Sequence, residues 1–75
     1  MRYTMLTQAN CKFCNAALSL LKSHGHEVDI YDVQAEKDAL MVKMLRVTNT
    51  VPQLYNPEGD FIGGYTELKE YFNCE

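Results

Sequence analysis

The chain has 75 residues, 47% of them hydrophobic, a formal net charge of −3 and three cysteines. That length suits a single domain spanning 1–75, with a modest core that needs no metal or disulfide staple. The basic residues are scattered, which argues against nucleic acid or an anionic membrane as partner, and no apolar run reaches the ~20 residues of a transmembrane helix.

The N-terminus lacks the apolar core of a signal peptide, so the expected compartment is cytoplasmic, where thiols stay reduced and structural disulfides are rare. An odd cysteine count there fits a catalytic pair plus a spare better than a disulfide scaffold.

In chain order, Tyr3-Thr4-Met5-Leu6 reads as a short strand with polar flanks, and Thr7 to Asn10 as a loop. Phe13 to Leu21 follows as a helix, its apolar residues Phe13, Ala17, Leu18, Leu20 and Leu21 close to a buried stripe. Gly25 marks its end, with Lys22 and His24 complementing the dipole in the last turn. Val28 and Ile30 alternate with Glu27, Asp29 and Asp32, which predicts a second strand. Strand, helix and strand make a right-handed βαβ unit with parallel strands.

Glu36 to Arg46 is predicted as a second helix with a broad apolar face (Ala39, Leu40, Val42, Met44, Leu45), an acidic start and a basic end. Met41 and Met44 are read as core filler. After the polar linker Thr48-Asn49-Thr50, Gln53-Leu54-Tyr55 and Asp60-Phe61-Ile62 flank Asn56-Pro57-Glu58-Gly59, a type I turn signature, and so form a hairpin. Tyr65 to Phe72 is the last helix, N-capped by Thr66, with Leu68 and Phe72 facing inward. The order β-α-β-α-β-β-α describes an α/β fold of thioredoxin-like type, a four-stranded mixed sheet flanked by three helices.

The chemistry concentrates in Cys11-Lys12-Phe13-Cys14. A C-x-x-C at a helix start in a reducing compartment reads as a dithiol redox site. Residues three apart share a helix face, and their Cα separation falls inside the roughly 4.4–6.8 Å that a disulfide tolerates. Cys11, at or just before the helix N-terminus and beside Lys12, is placed where unpaired N–H groups and positive charge favour thiolate. It is read as the nucleophile. Cys14, one turn inside, is the less exposed resolving thiol. A half zinc site is the competing reading, but His24 and His26 match no common zinc spacing, and they read better as a helix-end cation and a turn residue. Cys74 reads as an exposed spare thiol.

Thr50-Val51-Pro52-Gln53, the hairpin, and then Gly63-Gly64-Tyr65-Thr66-Glu67-Leu68 follow the C-x-x-C in an order and spacing that resemble the glutaredoxin family over nearly the whole chain. The resemblance implies that Val51-Pro52 is cis and faces the cysteine pair, leaving the Val51 backbone as an edge for an extended peptide. It implies that Gly63-Gly64 lets backbone approach a ligand closely. Thr66 and Glu67, at the last helix N-terminus, then receive the γ-glutamyl carboxylate of glutathione, and Glu67 meets its ammonium. Gln8, Lys12, Phe13, Thr50, Val51, Pro52, Gly64, Tyr65, Thr66 and Glu67 are the expected groove.

On that resemblance the chain is expected to be a monomeric, glutathione-dependent thiol–disulfide oxidoreductase. The resemblance implies no bound cofactor and glutathione as co-substrate. It also implies disulfide-containing proteins as partners, with ribonucleotide reductase a candidate among them. The departures lie between and before the cysteines. Lys12 and Phe13 replace the Pro and Tyr of the commonest dithiol centre, and Gln8 replaces the usual Lys or Arg that meets the glycine carboxylate. Lys12 or Arg46 are candidate substitutes. Two alternatives differ in kind: a redoxin reduced by thioredoxin reductase, and an iron–sulfur carrier, against which the second cysteine argues.

Overall fold

The computed structural model describes residues 1–45 and 51–73. The predicted helix end at Arg46, the Thr48-Asn49-Thr50 linker and Cys74 lie outside the described residues. Strands β1 (Arg2–Thr7), β2 (Glu27–Asp32), β3 (Gln53–Tyr55) and β4 (Phe61–Gly63) form one sheet in the order β2-β1-β3-β4. Helices α1 (Lys12–Ser23), α2 (Ala39–Leu45) and α3 (Tyr65–Asn73) connect or follow them. β1 pairs in parallel with β2 and antiparallel with β3, and β3 pairs antiparallel with β4, so the sheet is mixed as predicted.

The period-two alternation of β1 divides the core between the two faces. Tyr3 and Met5 point to one side, where they join Leu54, Cys14, Ala17 and Leu21 of α1, and Leu68 and Phe72 of α3. Leu6 points to the other side and packs with Tyr55 and with Val42 of α2. Both faces of the sheet are thus covered, which is why all three residues of β3 are buried. Leu68 and Phe72 face inward as their spacing predicts.

α1 runs two residues longer at its C-terminal end than its apolar stripe. It closes with a Schellman arrangement: Gly25, at φ 78°, donates its N–H to Lys22, and His26 donates to Leu21. The hairpin turn forms as its residues dictate. Gly59 N–H donates to the Asn56 carbonyl, and Asn56 Oδ1 accepts from the N–H groups of Glu58 and Asp60. Gly59 takes φ 89°, a conformation that favours glycine.

The predicted second helix is corrected in two respects. Glu36–Asp38 is a 3₁₀ turn, and the α-helix begins only at Ala39. Asp38 causes the break, because its carboxylate accepts the Asp32 N–H at 2.9 Å and ties the turn back to the end of β2. The broad apolar face is not buried either. Val42 is buried, Met41 and Leu45 are half-buried, and Leu40 and Met44 are each 70% exposed, so Met44 is not core filler. A seven-residue helix against one sheet face has room to bury only a narrow stripe.

The last helix is also capped differently from the prediction. Gly64, not Thr66, is its N-cap: the Gly64 carbonyl accepts the first helical bond from Leu68 N–H at 3.0 Å. Glu67 Oε1 accepts the Gly64 N–H at 2.8 Å, the reaching-back half of a capping box. Thr66 stands two residues past the N-cap position, and the carboxylate three residues past it supplies the side-chain bond.

Candidate active site

Asn10, at φ 61°, takes the left-handed conformation that asparagine tolerates, and it turns the chain from the β1 loop into α1. Cys11 then sits at the N-cap in extended conformation, with its sulfur accepting the Cys14 N–H at 3.2 Å. This is the position normally held by a Ser, Thr, Asp or Asn oxygen. The structure joins Cys11 and Cys14 in a disulfide with Cα atoms 5.2 Å apart. Cys14 is 2% exposed and belongs to the main core, whereas Cys11 is half-buried at its edge. The two sulfurs therefore differ in access as the sequence predicts.

The Val51-Pro52 peptide bond is cis. Phe13, between the two cysteines, lines one cleft with Val51 and Pro52, which brings the cis-proline segment to the cysteine motif. The cleft is open, of about 200 Å³, and is lined by Phe13, Val51, Pro52, Gly64, Tyr65, Thr66 and Glu67. Seven of the predicted groove residues are thus brought together. Gln8 and Lys12 are exposed and stand outside the lining, and Thr50 lies outside the described residues.

The glycine pair has a different immediate purpose from the one expected. A Cβ on Gly63 would lie 2.7 Å from Cβ and Cγ of Glu67, and Gly63 takes φ 131° beside a bulge that leaves one extra residue on β4. Gly63 makes room for the capping side chain of Glu67 and is not among the residues lining the cleft. Gly64 lies on the cleft, where a Cβ would meet the Pro52 carbonyl oxygen at 3.6 Å. With Gly64 N–H bonded to Glu67, the N–H groups of Tyr65, Thr66 and Glu67 keep the unpaired donors of a first helical turn.

Sequence reasoning left one feature unread. Phe13, 55% exposed, stacks on Tyr65 with ring centroids 6.1 Å apart and an interplanar angle of 28°. Lys12 Nζ stands 6.0 Å from the Phe13 centroid, and Lys69 Nζ stands 5.4 Å from the Tyr65 centroid. The i, i+4 spacing of Tyr65 and Lys69 was a usable signal for the second contact. His24 and His26 lie away from this site, stacked with the Phe72 ring at 4.4 and 5.7 Å. Among the described residues no three His, Cys, Asp or Glu side chains converge on a common point that could hold a metal ion.

The glutaredoxin family model matches residues 3–62. The chain is 32% identical over 73 residues to the glutaredoxin of Enterobacteria phage T4, covering 83% of this chain and 84% of that protein. Three solved structures share the fold. Glutaredoxin 1 of Francisella tularensis, solved with cacodylate, has a TM-score of 0.70 at 23% identity, with 97% of this chain and 93% of that one covered. A buckwheat glutaredoxin–glutathione complex scores 0.77 at 19% identity, covering 96% and 68%. E. coli glutaredoxin scores 0.68 at 20% identity, covering 99% and 95%. With its Cys11–Cys14 pair at a helix start beside a cis-proline, the chain belongs to the glutaredoxin family of thiol–disulfide oxidoreductases.

Proposed function

We propose that the protein uses glutathione to reduce protein disulfides and glutathione mixed disulfides through Cys11 and Cys14. The carrying observation is the pairing of an accessible N-cap sulfur with a buried one a turn away. The Cys14 N–H and the dipole of α1 converge on Cys11 Sγ, so its thiolate is the stabilised form and the attacking one. Attack on a target disulfide forms a Cys11–substrate S–S bond and expels the other substrate sulfur, which takes up a proton. The Cys14 sulfur then attacks Cys11 Sγ, forms the intramolecular disulfide and expels the second substrate thiol. A first glutathione thiolate opens that disulfide to a Cys11–glutathione mixed disulfide and free Cys14. A second attacks the glutathionyl sulfur, giving oxidised glutathione and the dithiol protein.

The cleft supplies the binding half of the reading. The Val51 backbone, next to a proline that has no N–H, is an edge for the cysteinyl unit of glutathione. The free N–H groups at the start of α3 suit its γ-glutamyl carboxylate, and the outer oxygen of Glu67 suits its ammonium. The buckwheat relative of the same fold was solved with glutathione. Lys12 is the cation nearest the cysteines for the glycine carboxylate, since Gln8 is neutral. Reduction of ribonucleotide reductase is one protein-disulfide reaction of this class. The neutral Gln8 favours one other reading of the electron source, thioredoxin reductase in place of glutathione.

A coupled assay on one disulfide separates the two. NADPH consumption is followed with glutathione and glutathione reductase, and separately with thioredoxin reductase. Turnover is expected with glutathione. Turnover with thioredoxin reductase alone would refute glutathione dependence.

A further inference from the structure

The aromatic stack beside the cleft carries two cations, Lys12 and Lys69. Lys12 and Lys69 are each held over a ring, and among the described residues neither pairs with a carboxylate. The ion pairs found among those residues are made by Arg2, which bridges Glu27 at 2.5 Å and Asp29 at 2.7 Å on the far strand β2. In a chain of net charge −3 the Phe13–Tyr65 stack therefore carries positive charge at both ends, beside a cleft that Glu67 also lines. A ring under an ammonium restrains its position, and the N–H donors not turned toward the ring remain available to a ligand. The three separations end to end place the two ammonium groups at most about 18 Å apart, the span of roughly five residues of extended chain. Tyr65 and Phe13, the rings between them, both line the cleft.

Resting on the disulfide chemistry proposed above, we infer that Lys12 and Lys69 form a docking edge for protein substrates. The partner is an extended acidic peptide, with carboxylates within about two residues of its disulfide cysteine. The cysteine enters at Cys11 while its flanking carboxylates meet the ammonium groups at either end of the Phe13–Tyr65 stack. Charge complementarity argues for this occupant. A single-stranded nucleic acid needs open ring faces on which to stack, and here each ring stands against the other and lies under its own lysine. A flat anionic membrane would meet two lysines on an otherwise acidic chain.

The test uses pre-reduced full-length protein in single turnovers by stopped flow, so that no external reductant enters. The substrates are three disulfide peptides differing only at the residues beside cysteine: Glu, Gln or Lys. The wild type is expected to react several-fold faster with the Glu peptide than with the Gln peptide, a preference that shrinks as salt rises from about 0.03 M to about 0.5 M. Lys69→Glu, an exposed change outside the proposed reaction, should slow the Glu peptide about fivefold, leave the Gln peptide unchanged and speed the Lys peptide. Equal rates on the Glu and Gln peptides, or an equal effect of Lys69→Glu on all three, would overturn the inference alone. Absence of reaction with every peptide would overturn the disulfide chemistry and the docking edge together. Inhibition by a single-stranded oligonucleotide with no Glu preference would reassign the stack to nucleic acid and also overturn it.

Discussion

Gly63→Ala tests whether the glycine pair serves the α3 cap. Two costs can be assigned from the geometry. At φ 131° a residue with a Cβ is strained by about 1–3 kcal/mol. The new Cβ also falls 2.7 Å from Cβ and Cγ of Glu67, closer than side chains approach, so Glu67 must swing away. That movement breaks the 2.8 Å bond from Gly64 N–H, and a lost N-terminal cap costs about 0.5–2 kcal/mol. Together the change should cost about 3 kcal/mol. A chain of this length has a total stability of about 4–11 kcal/mol.

Urea unfolding followed by far-UV circular dichroism reads this directly. With a slope of about 1 kcal/mol/M for so small a protein, the midpoint should fall by about 3 M. Glu67→Ala supplies the second arm. It removes the cap without straining Gly63 and should cost about 1 kcal/mol. In the double variant the cap is lost only once, so the two effects should add to less than their sum by about that amount. A midpoint shift below about 0.5 M for Gly63→Ala, or strict additivity, would refute the capping account.

The cysteines should separate by variant: Cys11→Ser abolishes all disulfide reduction, whereas Cys14→Ser keeps reduction of glutathione mixed disulfides and loses the dithiol steps. Loss of the monothiol activity in Cys14→Ser would reverse the two roles. Thiol alkylation against pH should show reduced Cys11 reacting as thiolate well below the ordinary value of about 8.5; a normal profile would undo the helix-terminus argument. Burial pushes the Tyr55 phenol above its ordinary 10.0, and its hydroxyl donates to the Leu45 carbonyl. A raised folded-state pKa means that the unfolded chain ionises first. This group's stabilising contribution is therefore complete below about pH 10 and is lost as pH climbs through the folded value. Tyr55→Phe should cost about 1 kcal/mol at neutral pH and flatten the alkaline fall of stability, and an unaltered alkaline limb would count against it.

Elements with a strong periodic signal or a glycine stop were legible in the sequence. Gly25 ends α1 at a positive φ, Asn56-Pro57-Glu58-Gly59 forms its turn, and the alternation of β1 splits the core. The second helix was less legible because apolar content says nothing of how much sheet lies opposite. Leu40 and Met44 fit a buried stripe, yet the cluster on that sheet face (Leu6 and Tyr55, with half-buried Tyr31 and Val33) takes in Val42 and Leu45 of α2 and leaves both of them exposed. The Asp38–Asp32 bond that turns the helix start into a 3₁₀ segment joins a side chain to backbone six residues back, with no local sequence signature.

The site was legible as three motifs, each ambiguous alone, and the fold decides what each contributes. Gly63-Gly64 has the composition of a ligand-approach loop, but half of it is consumed internally: Gly63 admits Glu67, and Glu67 closes the cap on Gly64. That internal bond has a functional consequence. On the glutathione reading proposed above, a carboxylate held on the N-cap amide leaves the next three N–H groups for the ligand's anionic end and its second oxygen for the cationic end. On that reading the cap and the ligand seat are one device. The proposed roles then separate by variant: substitutions at Glu67 are expected to change stability and glutathione affinity together, and those at Lys69 peptide selectivity alone.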